Sequence, residues 1–358
     1  MRVIEVSPAE RARFDAAVAA SPLADSMQSF AWGEVKRAGG WHPLRLLVED
    51  TSGTVRAACS ILRTVPARGV PPLLYAPRGP VLDYGDTEAL RALLDAIRAR
   101  ARGAFMFKCD PAIEAGSDAA RALAGARLRP VRTGAFGGVQ PTAVMVLDID
   151  REPEKILEGF KSKWRYNIRL AERKGVKVRP GGANDLGAFY DILIETARRD
   201  GFTVRNRAYF QTLWRELGPQ RQLKLFMAEF EGRPVAGILL MCMGGRAIHV
   251  YGASSDRDRN VMPNHLLQWT AIRWAHDAGY KIYDFRGVSP VRDGKAVEPH
   301  IAGLNRFKEG FGARYVEYAG EFDLPLRPGW YAIWRTLAPK AIELRKKLGG
   351  AGAAAPAE

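Results

Sequence analysis

The sequence is poor in the residues that build the commonest reactive centres. Cysteine occurs three times and histidine five times in 358 residues. Cys59, Cys109 and Cys242 are odd in number, widely spaced and set among apolar neighbours. That pattern excludes a disulfide framework or a metal-ligand spacing, and fits reduced, buried thiols in a cytoplasmic setting. The histidines are scattered, so no Ser/His/Asp or Cys/His arrangement is visible and no covalent nucleophile is expected. No metal and no cofactor is expected either. No apolar run approaches the ~18 residues that a membrane-spanning helix needs. The N-terminal MRVIEVSPAERARF reads as a strand and a capped helix, without a signal core.

Acid is also in deficit: 54 Lys plus Arg stand against 39 Asp plus Glu, a formal charge of +15. Nucleic acid, an anionic membrane face or phosphorylated substrates fit this balance, and so does a merely basic surface. With 47% hydrophobic residues the chain can bury a sizeable core, and its length exceeds what one core usually serves, so two domains are expected. The terminal GGAGAAAPAE is expected to be disordered.

Two segments are alike. LLVEDTSGTVRAACSILR (46–63) and FMAEFEGRPVAGILLMCM (226–243) each give a strand, a polar turn with Gly and a second strand carrying a small pair. An offset of 179 residues superposes Gly53 on Gly232 and Ala57 on Ala236. Each hairpin is followed by a strand, an amphipathic helix and another strand: LLYAP, TEALRALLDAIRARAR and AFMFKCD, then AIHVYGA, NHLLQWTAIRWAHDAG and YKIYDF. Each half therefore reads as a mixed α/β unit, with the junction near TAVMVLDIDREPEKI.

The second half opens on FKSKWRYNIRLAERKGVKVR (160–179), with eight basic residues and one acid. Ile156, Phe160, Trp164, Ile168 and Ala171 lie at helical spacing and predict a buried stripe on one helix. Lys161, Arg165, Arg169 and Arg173 stand four apart and predict a basic ridge. Solvated faces usually mix signs, since like charges at i, i+4 repel. The ridge is either such a face or a phosphate-binding surface. Lys163 and Asn167 lie between stripe and ridge. Gly175 is expected to end the helix.

Five pieces in order, QSFAWGEVKRAGGW, KSKWRYNIRLAERKGVKV, RDGFTVRNRAYF, VYGASSDRDRNVMPNHLLQWTAIRWAHDAGYKIYDFRG and GLNRFKEGFGARYVEYAGEFDLPLRP, resemble the FemABX family of peptidoglycan interpeptide-bridge aminoacyltransferases. The resemblance implies two GNAT-like (acyl-CoA N-acyltransferase-like) domains related by duplication, of the short FemX-like branch without a helical-hairpin arm. It implies residues 1–146 as a precursor-binding domain completed by 320–348, residues 147–319 as the tRNA and aminoacyl side, and 349–358 as a tail. The chain departs from the family pattern at His249, where a tyrosine is usual, and at Arg286, where glycine follows the DF pair. A true acetyl-CoA GNAT needs a Gln/Arg-x-x-Gly-x-Gly/Ala loop, and none is found. RNVMPNHLL stands at its expected place, and RFKEGFG is the nearest miss.

The implied reaction is aminolysis: an amine on the peptide stem of a precursor attacks the ester of aminoacyl-tRNA. It calls for a neutral amine, alignment and positive charge near the developing oxyanion. Lys308 matches the family's motif lysine and is implied to stabilise that charge or the tRNA 3′ end, beside Phe307 as a tRNA contact. Lys36 and Arg205 correspond to residues that bind precursor phosphates, UDP-linked or lipid-linked. Tyr209 and Tyr251 are candidate substrate contacts or packed aromatics; Tyr209 shares a helix face with Arg205 if that segment is helical, and Tyr251 is expected to end a strand. Lys161, Lys163, Arg165, Arg169 and Arg173 are the candidate tRNA residues. Asp110, at a predicted strand end, either accepts a proton or holds the incoming ammonium, or caps the turn before Pro111. PGWYAIWRTLAPKAIELRKKL mixes aromatic and basic residues, which suits an anionic membrane or packing against the first domain. A monomer in the cytoplasm, or at the inner membrane face, is expected. An acyl-CoA enzyme, a transferase acting on a protein or exopolysaccharide, and a non-catalytic RNA-binding module are the alternatives.

Overall fold

The computed structural model describes residues 1–131 and 138–348, with side chains up to Ala338. The tail expected at 349–358, and the side chains of Lys340, Arg345, Lys346 and Lys347, lie outside the described residues. The chain divides into two compact units, Met1–Gln140 with Tyr318 onward, and Pro141–Glu317.

Unit 1 begins with β1 (Arg2–Glu5), α1 (Arg11–Ala19) and α2 (Phe30–Ala38), then the hairpin β2 (His42–Glu49) and β3 (Val55–Thr64). β4 (Leu73–Ala76) and β5 (Val81–Leu82) lead into α3 (Thr87–Ala99), which crosses over to β6 (Met106–Cys109), parallel to β4. A parallel pair needs such a long connection. Asp86 caps α3 by accepting from Ala89 N, and Leu90, Leu93, Leu94 and Ile97 form the buried face that i, i+3, i+4 spacing predicts. α4 (Asp118–Gly125) and β7 (Arg129–Val131) follow.

Unit 2 holds β8 (Ala143–Asp148), α5 (Pro153–Glu158), α6 (Ser162–Arg173), β9 (Lys177–Gly181), α7 (Leu186–Asp200) and α8 (Arg207–Leu217). Its hairpin is β10 (Leu223–Phe230) and β11 (Arg233–Met243), followed by β12 (Arg246–Ser254), α9 (Pro263–Asp277) and β13 (Ile282–Gly287), parallel to β12. A small hairpin, β14 (Val291–Arg292) with β15 (Lys295–Ala296), precedes α10 (Ala302–Glu309) and β16 (Arg314–Glu317). β17 (Glu321–Pro325) and α11 (Pro328–Leu348) belong to unit 1.

The sheets follow one plan, β1-β2-β3-β4-β6-β17-β7 and β9-β10-β11-β12-β13-β8-β16, with β5 attached to β3. In both, the only parallel pair on that path is the fourth with the fifth strand. The turn glycines Gly53 and Gly232 have φ of 83° and 74°, and both hairpins carry a bulge directly before Ala57 or Ala236, at Arg56 and Val235. The sixth strand differs in origin: β17 reaches unit 1 from beyond unit 2, while β8 follows β7 in sequence yet pairs only within unit 2. The units therefore part at Gln140, not at 146 inside β8, since both partners of β8 lie in unit 2.

Each unit has its own apolar core, the first around Leu46, Cys59, Leu93, Phe107 and Phe322, the second around Phe160, Ile168, Leu240, Ile272 and Phe311. All three cysteines are free and buried, and burial pushes their pKa values up. The single helix expected across 156–171 is two. The chain breaks at 159–161, where Lys161 N donates to Gly310 O at 2.9 Å and the Phe160 ring meets Trp269 and Phe311 edge-on. Phe160 fits the stripe while sitting in the break, so periodicity ran through it. Gly175, at φ 87°, ends α6.

Candidate functional site

Lys308 lies on α10 and is only 6% exposed. Its Nζ donates to Gly287 O at 2.6 Å and, more weakly, to Arg286 O at 3.4 Å. Burial pulls its pKa down to about 7, against the pull of Asp284 and with the push of Arg286. The carbonyls reach Lys308 because β13 is bulged: Asp284 pairs with Val146 and Arg286 with Met145, leaving Phe285 as the extra residue. Arg286 takes a φ of 61°, a conformation natural to glycine. Asp284 fixes the bulge, accepting from Arg286 N at 2.6 Å and from Arg246 Nη2 at 3.1 Å. The sequence reading missed Asp284; its signal was an acid inside an otherwise apolar strand.

The glycines of RFKEGFG serve packing. A Cβ on Gly310 would lie 2.1 Å from the Trp164 indole, and Gly312 has a φ of 73°, where a Cβ would lie 2.9 Å from the Gly159 carbonyl oxygen. Trp164 Nε1 donates to Phe307 O at 3.0 Å, and the rings of Trp164, Phe307 and Phe311 surround His265. Burial and the Lys163 charge lower the His265 pKa to about 4, so a neutral ring meets the buried Asn167 amide at 3.1 Å. Asn167 thus frames the helix. This aromatic nest joins α6 to α10, bringing the basic residues and Lys308 into one region of unit 2.

The ridge itself is uneven. Arg169 and Arg173 are exposed, Arg173 lying over the Tyr166 ring. Lys163 is exposed and Lys161 pairs with Glu309 at 3.1 Å. Arg165 is turned back, donating to Glu158 O and Phe160 O, where it closes the break before α6.

Arg205 precedes α8 and does not share a helix face with Tyr209. Asn206 caps the helix, accepting from Tyr209 N at 3.0 Å, and the Arg205 guanidinium lies 5.8 Å from the Tyr209 ring centre. Tyr209 is hydrogen-bonded to Tyr251; burial and that partner push its pKa well up, against Arg205 and Arg286. Tyr251 does not end its strand. It sits inside β12 at a second bulge, where Leu239 pairs with Tyr251 and Leu240 with His249, leaving Val250 over. His249 holds that bulge: Tyr283 Oη donates to Gln268 Oε1 at 2.8 Å, and Gln268 Nε2 meets His249 Nδ1 at 2.9 Å. Burial, with the Lys308 charge nearby, lowers the His249 pKa to about 3, keeping the ring neutral.

In unit 1, Ser29 caps α2, and buried Lys36 directs its Nζ to the Trp32 and Trp41 rings, 5.3 and 5.7 Å from their centres. Asp110 is 2% exposed with both oxygens engaged, Oδ2 accepting from Tyr75 Oη and Oδ1 from Arg78 N, each at 2.7 Å. Burial raises its pKa to about 6. Trp41 and Tyr75 share one buried cluster, which links Lys36 to Asp110 through two rings.

At the place where a GNAT would hold a pyrophosphate, Pro263 takes the first position of α9 and offers no N–H, while Val261 and Met262 pack into the core. Among the described residues no group of His, Cys, Asp and Glu is arranged to hold a metal ion, and no helix is long and apolar enough to cross a membrane.

Comparison with known proteins agrees with this architecture. The sequence model of the FemAB family matches residues 9–233 and 228–338. A lipid II:glycine glycyltransferase of Staphylococcus haemolyticus is 28% identical, over 93% of this chain and 96% of its own length. The crystal structure of FemX superposes with a TM-score of 0.84 and 26% identity, covering 93% of this chain and 99% of that one. A tandem GNAT protein from the clavulanic acid biosynthesis pathway shares the fold at 12% identity, with a TM-score of 0.51 over 91% of this chain and 98% of that one.

Proposed function

This chain belongs to the FemAB family and is an aminoacyltransferase, and from that premise we propose that it adds a small amino acid, glycine, alanine or serine, from aminoacyl-tRNA to the stem-peptide amine of a peptidoglycan precursor. The observation that carries the reading is Lys308, buried on two carbonyls with a pKa near neutrality and joined through α10 to an exposed basic helix. An aminoacyl ester is already activated, so positioning and charge suffice. The protonated Nζ of Lys308 stabilises the oxyanion formed when the amine attacks the ester carbonyl. Collapse of that intermediate, with a proton passing from the attacking nitrogen to the ribose oxygen, breaks the ester C–O bond and leaves an amide and free tRNA.

Phe307 and the exposed Lys163, Arg169 and Arg173 contact the tRNA acceptor end, while Arg165 and Lys161 hold α6 in place. Arg205, Tyr209 and Tyr251 contact the precursor. Lys36, held between its two indoles, is a cation suited to a phosphate. Asp110 acts by fixing the Arg78 turn. The relatives' activity on lipid II favours a lipid-linked acceptor. On α11, Trp330, Ile333 and Leu337 are 39, 49 and 55% exposed while Tyr331 is buried, a stripe suited to an anionic membrane surface.

The test is transfer of labelled amino acid from a panel of aminoacyl-tRNAs to lipid-linked and UDP-linked precursors. Product on the lipid-linked form that RNase abolishes is expected. Transfer surviving RNase overturns the tRNA donor, and product on the UDP-linked form alone overturns the lipid acceptor. Flotation with anionic vesicles checks α11, and protein left in solution removes the membrane contact.

A further inference from the structure

The residue after Phe285 stands in a backbone conformation that favours glycine, yet carries the largest cationic side chain. At φ 61° Arg286 forgoes the relaxed geometry that glycine would give the β13 bulge. Strain of this kind persists where surrounding contacts over-determine it, and it gathers at functional sites. Here the backbone is over-determined: Asp284 accepts from Arg286 N at 2.6 Å, and Lys308 donates to Arg286 O at 3.4 Å. A glycine would keep both contacts, so they do not explain the side chain.

The side chain's surroundings do. Arg286 is half-buried, and its charge acts on the Tyr209 hydroxyl together with that of Arg205, whose guanidinium lies 5.8 Å from the Tyr209 ring centre. The Arg286 charge also acts on Lys308. The charges of Arg205 and Arg286 thus both reach the Tyr209 hydroxyl, which is hydrogen-bonded to Tyr251, and the Arg286 backbone is tied to Lys308, whose Nζ lies 3.4 Å from its carbonyl. Guanidiniums bind oxyanions in planar, two-point fashion, and two of them flanking hydroxyl donors suit a ligand with two adjacent anionic centres.

We propose that Arg286 is a substrate-binding residue that, with Arg205, grips the pyrophosphate of the precursor. The inference rests on the proposed function only in naming the source of that group, which UDP-linked and lipid-linked precursors both carry. It assigns the backbone strain of β13 to ligand recognition.

The test is isothermal titration of the full chain with inorganic pyrophosphate, paired with thermal melting. Arg286→Gly is expected to raise the Tm by a degree or so, because the bulge relaxes, and to weaken pyrophosphate binding roughly tenfold or more, because a charge-assisted contact is lost. Arg286→Lys keeps charge but not fork, and is expected to weaken binding severalfold at unchanged Tm. Unchanged binding in Arg286→Gly overturns the proposal whatever its Tm. Arg205→Ala separates the two readings. If it weakens binding while Arg286→Gly does not, only this inference falls; if neither does, the assignment of Arg205 to phosphate falls as well.

Discussion

Units 1 and 2 share one sheet plan and treat its parallel pair in opposite ways. In unit 1, β4 and β6 run in even register from Leu73 with Met106 to Ala76 with Cys109, and the polar groups just beyond are closed on one another. Asp110 takes the Tyr75 hydroxyl and the Arg78 N–H, and Gln28 binds Ser60 N, Ser60 O and Pro77 O. In unit 2, β12 and β13 pair only from Arg246 with Ile282 to Ile248 with Asp284, and both strands bulge at the point where pairing stops. His249, Tyr251, Arg286 and Lys308 gather there. Where two parallel strands part, a sheet either seals its end with hydrogen bonds or presents side chains, and a bulge on each strand selects the second course.

The sharpest way to break that contrast is to remove the charge at the open end. Lys308→Met should lower kcat by about a hundred- to a thousandfold, as loss of an oxyanion contact does, with a far smaller change in precursor KM. The same change should stabilise the fold. A lysine whose folded pKa lies near 7, below its ordinary 10.5, binds fewer protons folded than unfolded between those values, so its burial penalty is complete below pH 7 and fades as pH rises toward 10.5. The Tm gain of Lys308→Met should therefore be largest at pH 6–7 and shrink by pH 10. In the wild type, log kcat should rise with pH as the acceptor amine loses its proton and bend near pH 7 as Lys308 discharges; the bend should be absent from Lys308→Met.

At the sealed end the expected effect is on stability. Asp110→Ala leaves the buried Arg78 N–H and Tyr75 hydroxyl without their acceptor and should cost about 2–3 kcal/mol by denaturant titration. A fall in turnover without loss of stability would make Asp110 a reactive group and erase the difference between the units. Gly310→Ala, which drives a methyl into the Trp164 indole, should cost about 1–3 kcal/mol and loosen tRNA binding, whereas Gly303→Ala, facing open space on the same helix, should do neither. Smallest is Arg169→Gln, which should weaken tRNA binding a fewfold and flatten its salt dependence by about one unit of slope. Arg165→Gln should lower the Tm instead, because its guanidinium serves the chain break.

Much of this frame was legible in the sequence. The paired hairpins and the helices α3 and α9 follow from local periodicity, which burial on one face writes directly into residue order; the stripe from Ile156 to Ala171 was legible as burial and not as one helix, since it spans two. The bulges were not legible. Ala-Ile-His-Val-Tyr and Ile-Tyr-Asp-Phe-Arg read as plain strands, since an extra residue is defined only against the partner strand. Tyr251 was accordingly placed at a strand end, and Arg205 on a helix that starts two residues later. The tasks of Arg165 and Asn167 were hidden for a similar reason, because a charge and an amide at ridge spacing do not announce that backbone carbonyls or a histidine lie within reach.

The origin of the sixth strand also orders events in time. Every strand of unit 2 lies between Ala143 and Glu317, so its sheet can close while the chain is still being made. Unit 1 must wait: Lys108 on β6 meets Glu321 on β17, 213 positions later. Until then β6 and β7 are bare edges, the kind of surface on which nascent chains stray. The half that is synthesised first is therefore finished last, and a ribosome that stalls before Glu321 releases a protein whose second half is whole and whose first half cannot be completed.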